Sequence, residues 1–100
     1  MEPNPRREIK VKVVINNCFG GYSLSPKAYD YLGLKWDGYG FAFREDRTNP
    51  LLIKCVEELG KDADGERAYL SIVEIPNDVE WKIEEYDGDE WVAEKHRVWR

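Results

Sequence analysis

Between an apolar run ending at Asn16 and a Ser-Pro helix start, the chain places Cys18, the paired glycines Gly20 and Gly21, Tyr22, and the hydroxyls of Ser23 and Ser25. Adjacent glycines accept positive φ and allow a ligand close to the backbone. A helix beginning at Pro26 aims its free N–H groups and positive dipole end back at this loop, which suits an anion. Asn16 and Asn17 add amide donors and acceptors. The spacing matches neither the P-loop nor the dinucleotide-binding glycine pattern, so no nucleotide motif follows. The same residues also fit a tight strand-to-helix turn with a capped helix. Cys18 carries a second possibility. A thiolate near a helix start is stabilised, and His96 is the sole histidine that could serve it as a base. A small buried cysteine at a strand end is the alternative.

Arg44 and Arg47 bracket Glu45 and Asp46, and Arg97 lies in the closing KHRVWR. A phosphate-bearing ligand is matched by the planar donor fork of arginine. A solvated ion-pair cluster accounts for Arg44 and Arg47 equally well. Phe19, Tyr22 and Trp99 are the aromatics offered for stacking on a base. The carboxylates at 84, 85, 87, 89, 90 and 94 lack a calcium-loop pattern and read as a solvated acidic hairpin. Cys18, Cys55 and His96 lack zinc-site spacing, and no metal or cofactor is implied.

The elements that must position these groups follow from periodicity. Residues 8–16 alternate Ile9, Val11, Val13 and Ile15 against Lys10, Lys12, Val14 and Asn16, a half-buried strand. Ser25, Pro26 and Gly33 punctuate a short helix with Ala28, Tyr31 and Leu32 facing inward. Tyr39, Phe41 and Phe43 recur at period two after Asp37-Gly38, predicting a short strand. Asn49, Pro50 and Gly60 bound a second helix, whose core stripe is Leu51, Leu52, Cys55, Val56 and Leu59. Residues 67–76 read as a central strand ended by Pro76. Asp87-Gly88 supplies the two-residue turn of a C-terminal hairpin, expected at a sheet edge. The fold class is α+β: a mostly antiparallel sheet with two helices packed on one face and a C-terminal β-hairpin.

One hundred residues make a single domain, expected over 8–100 after a flexible leader at 1–7. Apolar residues make up 42% and aromatics 13%, which suffices for a real core. The net charge of −5 is uneven: residues 1–60 carry +1 and residues 61–100 carry −6. An acidic half argues against a nucleic-acid polymer as partner. No apolar stretch approaches membrane-span length, so neither a membrane partner nor a location outside the cytoplasm is expected.

VVINNCFGGYSLSPKA, NPLLIKCVEELG and LSIVEIPNDVEWKIEEYDGDEWVAEKHRVW together resemble a family of small uncharacterised phage and prophage proteins. That resemblance implies no established activity. It implies an accessory role in the host-cell cytoplasm, such as sequestering a signalling nucleotide or blocking a host enzyme. Three readings follow. The first is a binder that sequesters a small anionic, nucleotide-like ligand without chemistry, through Asn16, Gly20, Gly21, Tyr22, Ser23, Ser25, Arg44, Arg47 and Arg97. The second is an acidic protein-interaction module, inhibiting a host protein or acting as a homo-oligomer, with Trp81 and Trp91 of the hairpin at the contact. The third is an enzyme dependent on Cys18 and His96.

Overall fold

A computed structural model of the chain describes residues 10–94 and the backbone of 98–99. The elements run β1 (Lys10–Asn16), α1 (Pro26–Leu32), α2 (Pro50–Leu59), a 3-10 turn (Gly60–Ala63), β2 (Leu70–Pro76), β3 (Trp81–Tyr86), β4 (Asp89–Glu94) and β5 (Val98–Trp99). The α+β class is as the sequence indicates. β1 and β2 form one antiparallel ribbon, and β3, β4 and β5 form a second antiparallel sheet.

The caps are those read from the sequence. Ser25 accepts from the Ala28 N–H at 3.1 Å, and Asn49 accepts from the Leu51 N–H at 2.9 Å. Gly33 closes α1 in the left-handed region. The buried faces are rotated from expectation. α1 buries Ala28 and Tyr29 while Tyr31 is exposed, and α2 buries Ile53 while Leu51 is exposed. Each shift is one position or two, the size of error expected when a short helix is read without its neighbours.

The β1–β2 ribbon is the middle layer. Val14 and Leu70, with Ile72 beside them, pack on the helices with Leu24, Leu52 and Cys55. Val13, Ile15, Val73 and Ile75 pack on Val92, Trp81 and Ile83 of the hairpin sheet. The hairpin therefore lies across the ribbon rather than along its edge. β1 is buried on both faces from Val13 to Asn16, not half-buried, because helices cover one side and the hairpin the other. β2 pairs with β1 alone among the described residues, so it is an edge strand and not a central one.

Residues 39–43 do not form a strand. Gly38, Gly40 and Phe43 all have positive φ (89°, 86° and 60°), which coils the segment into consecutive turns. The hairpin turn is as read: Asp87 and Gly88 both take positive φ (53° and 93°), the pattern of a type I′ turn.

Candidate functional site

Asn16 closes β1 and is fully buried. Its amide nitrogen donates to the carbonyls of Cys18 and Gly88, each at 2.7 Å. Its amide oxygen accepts from the Tyr69 N–H at 2.8 Å. One side chain thus ties together the glycine loop, the start of β2 and the hairpin turn. Its polar groups are spent on the fold rather than offered to a ligand. A Cβ on Gly88 would run into the backbone nitrogens of Gly20 and Gly21, and one on Gly20 would run into the Arg67 carbonyl. The paired glycines therefore seat the hairpin turn. Of the pair, Gly21 has open space beside it.

Arg47 is 8% exposed, and it is neither a solvated residue nor a free one. Its Nη1 and Nη2 donate to Glu90 Oε1 and Oε2 at 2.7 and 2.8 Å, a bidentate pair. Nε donates to the Arg44 carbonyl at 2.7 Å, and Nη1 also donates to the Val14 carbonyl at 3.1 Å. The guanidinium lies 3.8 Å over the ring of buried Tyr22. Glu90 Oε1 completes the set by accepting from the Asn16 N–H at 2.7 Å. Glu90 is therefore not part of a solvated acidic surface. β4 alternation puts it on the inward row with Val92, where Arg47 and the Asn16 N–H satisfy it. That signal was present in the sequence: a carboxylate in register with the buried valine calls for an arginine.

The remaining named residues divide. Tyr22 donates to the Ala42 carbonyl at 2.7 Å, and burial pushes its phenol pKa up. Ser25 caps α1 and donates to the Asp62 carbonyl at 2.5 Å. Ser23 is partly buried, with its backbone joined to Gly65. Cys18 Sγ faces the Arg67 carbonyl at 3.2 Å and Asn16 Oδ1 at 3.7 Å. Burial raises the Cys55 thiol. Lys95, His96, Arg97 and Arg100, and with them the Cys18–His96 pairing, lie outside the described residues, as does the Trp99 side chain. The structure thus brings Asn16, Cys18, Gly20, Gly21 and Tyr22 to one end of the ribbon, with Arg47 against Tyr22. It does so to lock the hairpin down.

Arg44 is elsewhere. It is exposed, and its guanidinium lies 4.8 Å over the Phe41 ring. Phe41 in turn stacks on Tyr39, with centroids 5.5 Å apart and planes 13° from parallel. Tyr39 is 70% and Phe41 43% exposed. Such exposure of apolar rings in a mobile loop would carry no information, but this loop is held. Asp37 Oδ1 accepts from the N–H groups of Tyr39 and Gly40 at 2.7 and 2.6 Å. Oδ2 accepts from the Phe41 N–H at 3.1 Å and from the Tyr29 hydroxyl at 2.8 Å. The Gly40 N–H above all, with Tyr39, Tyr29 and Phe41, keeps the Asp37 carboxyl well below the usual carboxylate range. Tyr29 also accepts from the Ala42 N–H at 2.8 Å and meets Trp36 edge-on at 4.9 Å. The Leu24 N–H donates to the Gly40 carbonyl at 2.8 Å, pinning the loop to the body of the domain. Tyr31, Leu34 and Trp36, just before these residues, are also more than a third exposed.

This aromatic loop is the surface that sequence reasoning missed. Period-two spacing suggested a strand, which would have put all three rings on one face of a sheet. The hairpin tryptophans, Trp81 and Trp91, are partly buried, Trp81 against the apolar cluster around Val92. Two clefts lie outside the glycine loop. One of about 370 Å³ is lined by Arg44, Glu45, Asp46, Arg47, Trp81, Ile83, Glu85 and Glu90, among others, and its carboxylates outnumber its guanidiniums. The other, of about 530 Å³, lies between β1 and α2. No family model, curated protein or solved structure matches the chain. No helix among the described residues is long and apolar enough to cross a membrane.

Proposed function

We propose that this is a small phage-type accessory protein that acts without chemistry, by docking a host protein through the loop at 36–44. The observation that carries the reading is the stacked pair Tyr39–Phe41, exposed yet fixed by four hydrogen bonds to Asp37. Tyr, Trp and Arg dominate binding hot spots, and a loop already held in place loses little entropy on docking. The exposure of the rings suits a macromolecular partner better than a small ligand enclosed in a pocket. The anionic-ligand reading loses support because Asn16, Arg47 and Ser25 use their polar groups within the domain. The Arg44–Phe41 stack also suits a nucleobase, so the test includes one.

The test is capture from bacterial lysate with wild-type protein, the Tyr39→Ala/Phe41→Ala variant, and a Tyr86→Ala control on the hairpin. A partner retained by wild type and control but lost in the loop variant supports the reading. A partner retained by all three places the contact elsewhere. Loss of capture on adding mono- or cyclic nucleotide would return the loop to a small ligand.

A further inference from the structure

The hydrogen-bonding edge of β2 carries a second interaction surface. The register pairs Val11 with Ile75, Val13 with Val73 and Ile15 with Ser71. In an antiparallel ribbon, alternate residues turn their N–H and C=O inward to the partner strand or outward to the edge. Side-chain and main-chain bonds identify the outward set. Val14 donates to the Arg47 carbonyl at 3.0 Å, and the Asn16 N–H donates to Glu90, so even-numbered residues of β1 face out, and that edge is occupied at Val14 and Asn16. On β2, Leu70 faces out: its N–H donates to Asp64 Oδ1 at 3.1 Å, and its carbonyl accepts from Lys61 Nζ at 3.4 Å. Ile72, Glu74 and Pro76 share that parity. Pro76 has no N–H, so the open donor–acceptor window is Ile72 and Glu74, and no described residue bonds its outward groups.

This window is self-complementary. A two-fold axis through Val73 sets Ile72 of one copy opposite Glu74 of the other, and Glu74 opposite Ile72. Each free N–H then meets a free carbonyl, which makes four backbone hydrogen bonds. The charges also agree. Glu74 faces an isoleucine across the axis and has Lys12 beside it on its own ribbon, so like charges are not placed directly opposite. Both faces of the ribbon are already covered, which leaves the edge as the place where it can grow. We infer that two copies of this chain pair antiparallel through β2, joining their ribbons into a continuous four-stranded sheet centred on Val73. This surface is separate from the aromatic loop and stands or falls independently of it.

The test is the mass of the full chain in solution across a concentration series, by light scattering, for wild type and Glu74→Pro. Proline is tolerated on an edge strand where the N–H faces out, so the variant keeps the β1 pairing while removing an outward donor. Far-UV circular dichroism checks that it folds. Wild type should double its mass with concentration and Glu74→Pro should stay single. A wild type that remains single throughout, or a dimer that persists in a folded Glu74→Pro, overturns the inference. Amide exchange on wild type supplies a readout independent of the variant: protection at Ile72 and Glu74 should rise with concentration. Protection unchanged by concentration counts against the pairing.

Discussion

Replacing Glu90 by alanine tests whether Arg47 serves the fold. In the native protein Glu90 accepts two bonds from Arg47 and one from the Asn16 N–H, with both side chains about nine-tenths buried. Removing one member of a buried, hydrogen-bonded pair costs about 3–5 kcal/mol, because the other charge is left uncompensated. The Asn16 N–H loses its acceptor as well, although water entering from the cleft of about 370 Å³ beside Glu90 would offset part of this. A loss of about 3–5 kcal/mol in a domain this size lowers Tm by roughly 12–40 °C. Arg47→Ala should cost a similar amount. The pair replaced together, Arg47→Ala with Glu90→Ala, should lose less than the sum of the single losses by at least about 2 kcal/mol. Urea unfolding followed by tryptophan fluorescence gives all four corners of the cycle. If each single variant loses less than about 1 kcal/mol and the losses add, the latch does not exist and Arg47 is free for another role.

Four further outcomes follow. Gly88→Ala should destabilise by more than about 1 kcal/mol, since its Cβ meets the Gly20–Gly21 backbone and its φ is 93°; a thermal melt checks this. Asp37→Asn should weaken the loop in a pH-dependent way. The folded Asp37 pKa is depressed, so its contribution is fully present above the ordinary value of 3.8 and fades as pH falls below that toward the lower folded pKa. The Tm gap between wild type and Asp37→Asn should therefore be widest near pH 6 and narrow steadily below pH 3.8; a gap independent of pH would contradict the role. A thiol reagent should label Cys18 in the native protein and Cys55 only after unfolding, because Cys55 is fully buried and its thiol raised. Tyr39→Ala should leave urea stability within about 0.5 kcal/mol of wild type, as expected for an exposed residue.

The sequence was most informative where chemistry is local. Ser25 with Pro26, Asn49 with Pro50, and Asp87-Gly88 each set a cap or turn through bonds within a few residues, and each is where it was read. It was least informative where a residue's role depends on a distant one. Arg47 could be assigned neither to solvent nor to the core without knowing that Glu90 would arrive from β4, 43 positions later. Asn16 and the paired glycines resembled a ligand site for a related reason. Backbone that must admit a hairpin turn at close range needs the same small residues as backbone that must admit a phosphate. The aromatic loop was misread because Tyr39, Phe41 and Phe43 alternate as a strand would, while Gly38 and Gly40 between them allow the turns that Asp37 then fixes. Central and edge strands were indistinguishable in 70–76, since a ribbon covered on both faces is apolar on both faces wherever it lies.

The docking role of the loop is tested most directly by photocrosslinking. A benzophenone side chain in place of Tyr39, and separately in place of the equally exposed Tyr86 (70% and 71%), is irradiated in bacterial lysate. The loop probe should give one defined protein adduct that the hairpin probe does not give and that Phe41→Ala abolishes. The same adduct from both positions, or none from position 39, would contradict the assignment of this surface.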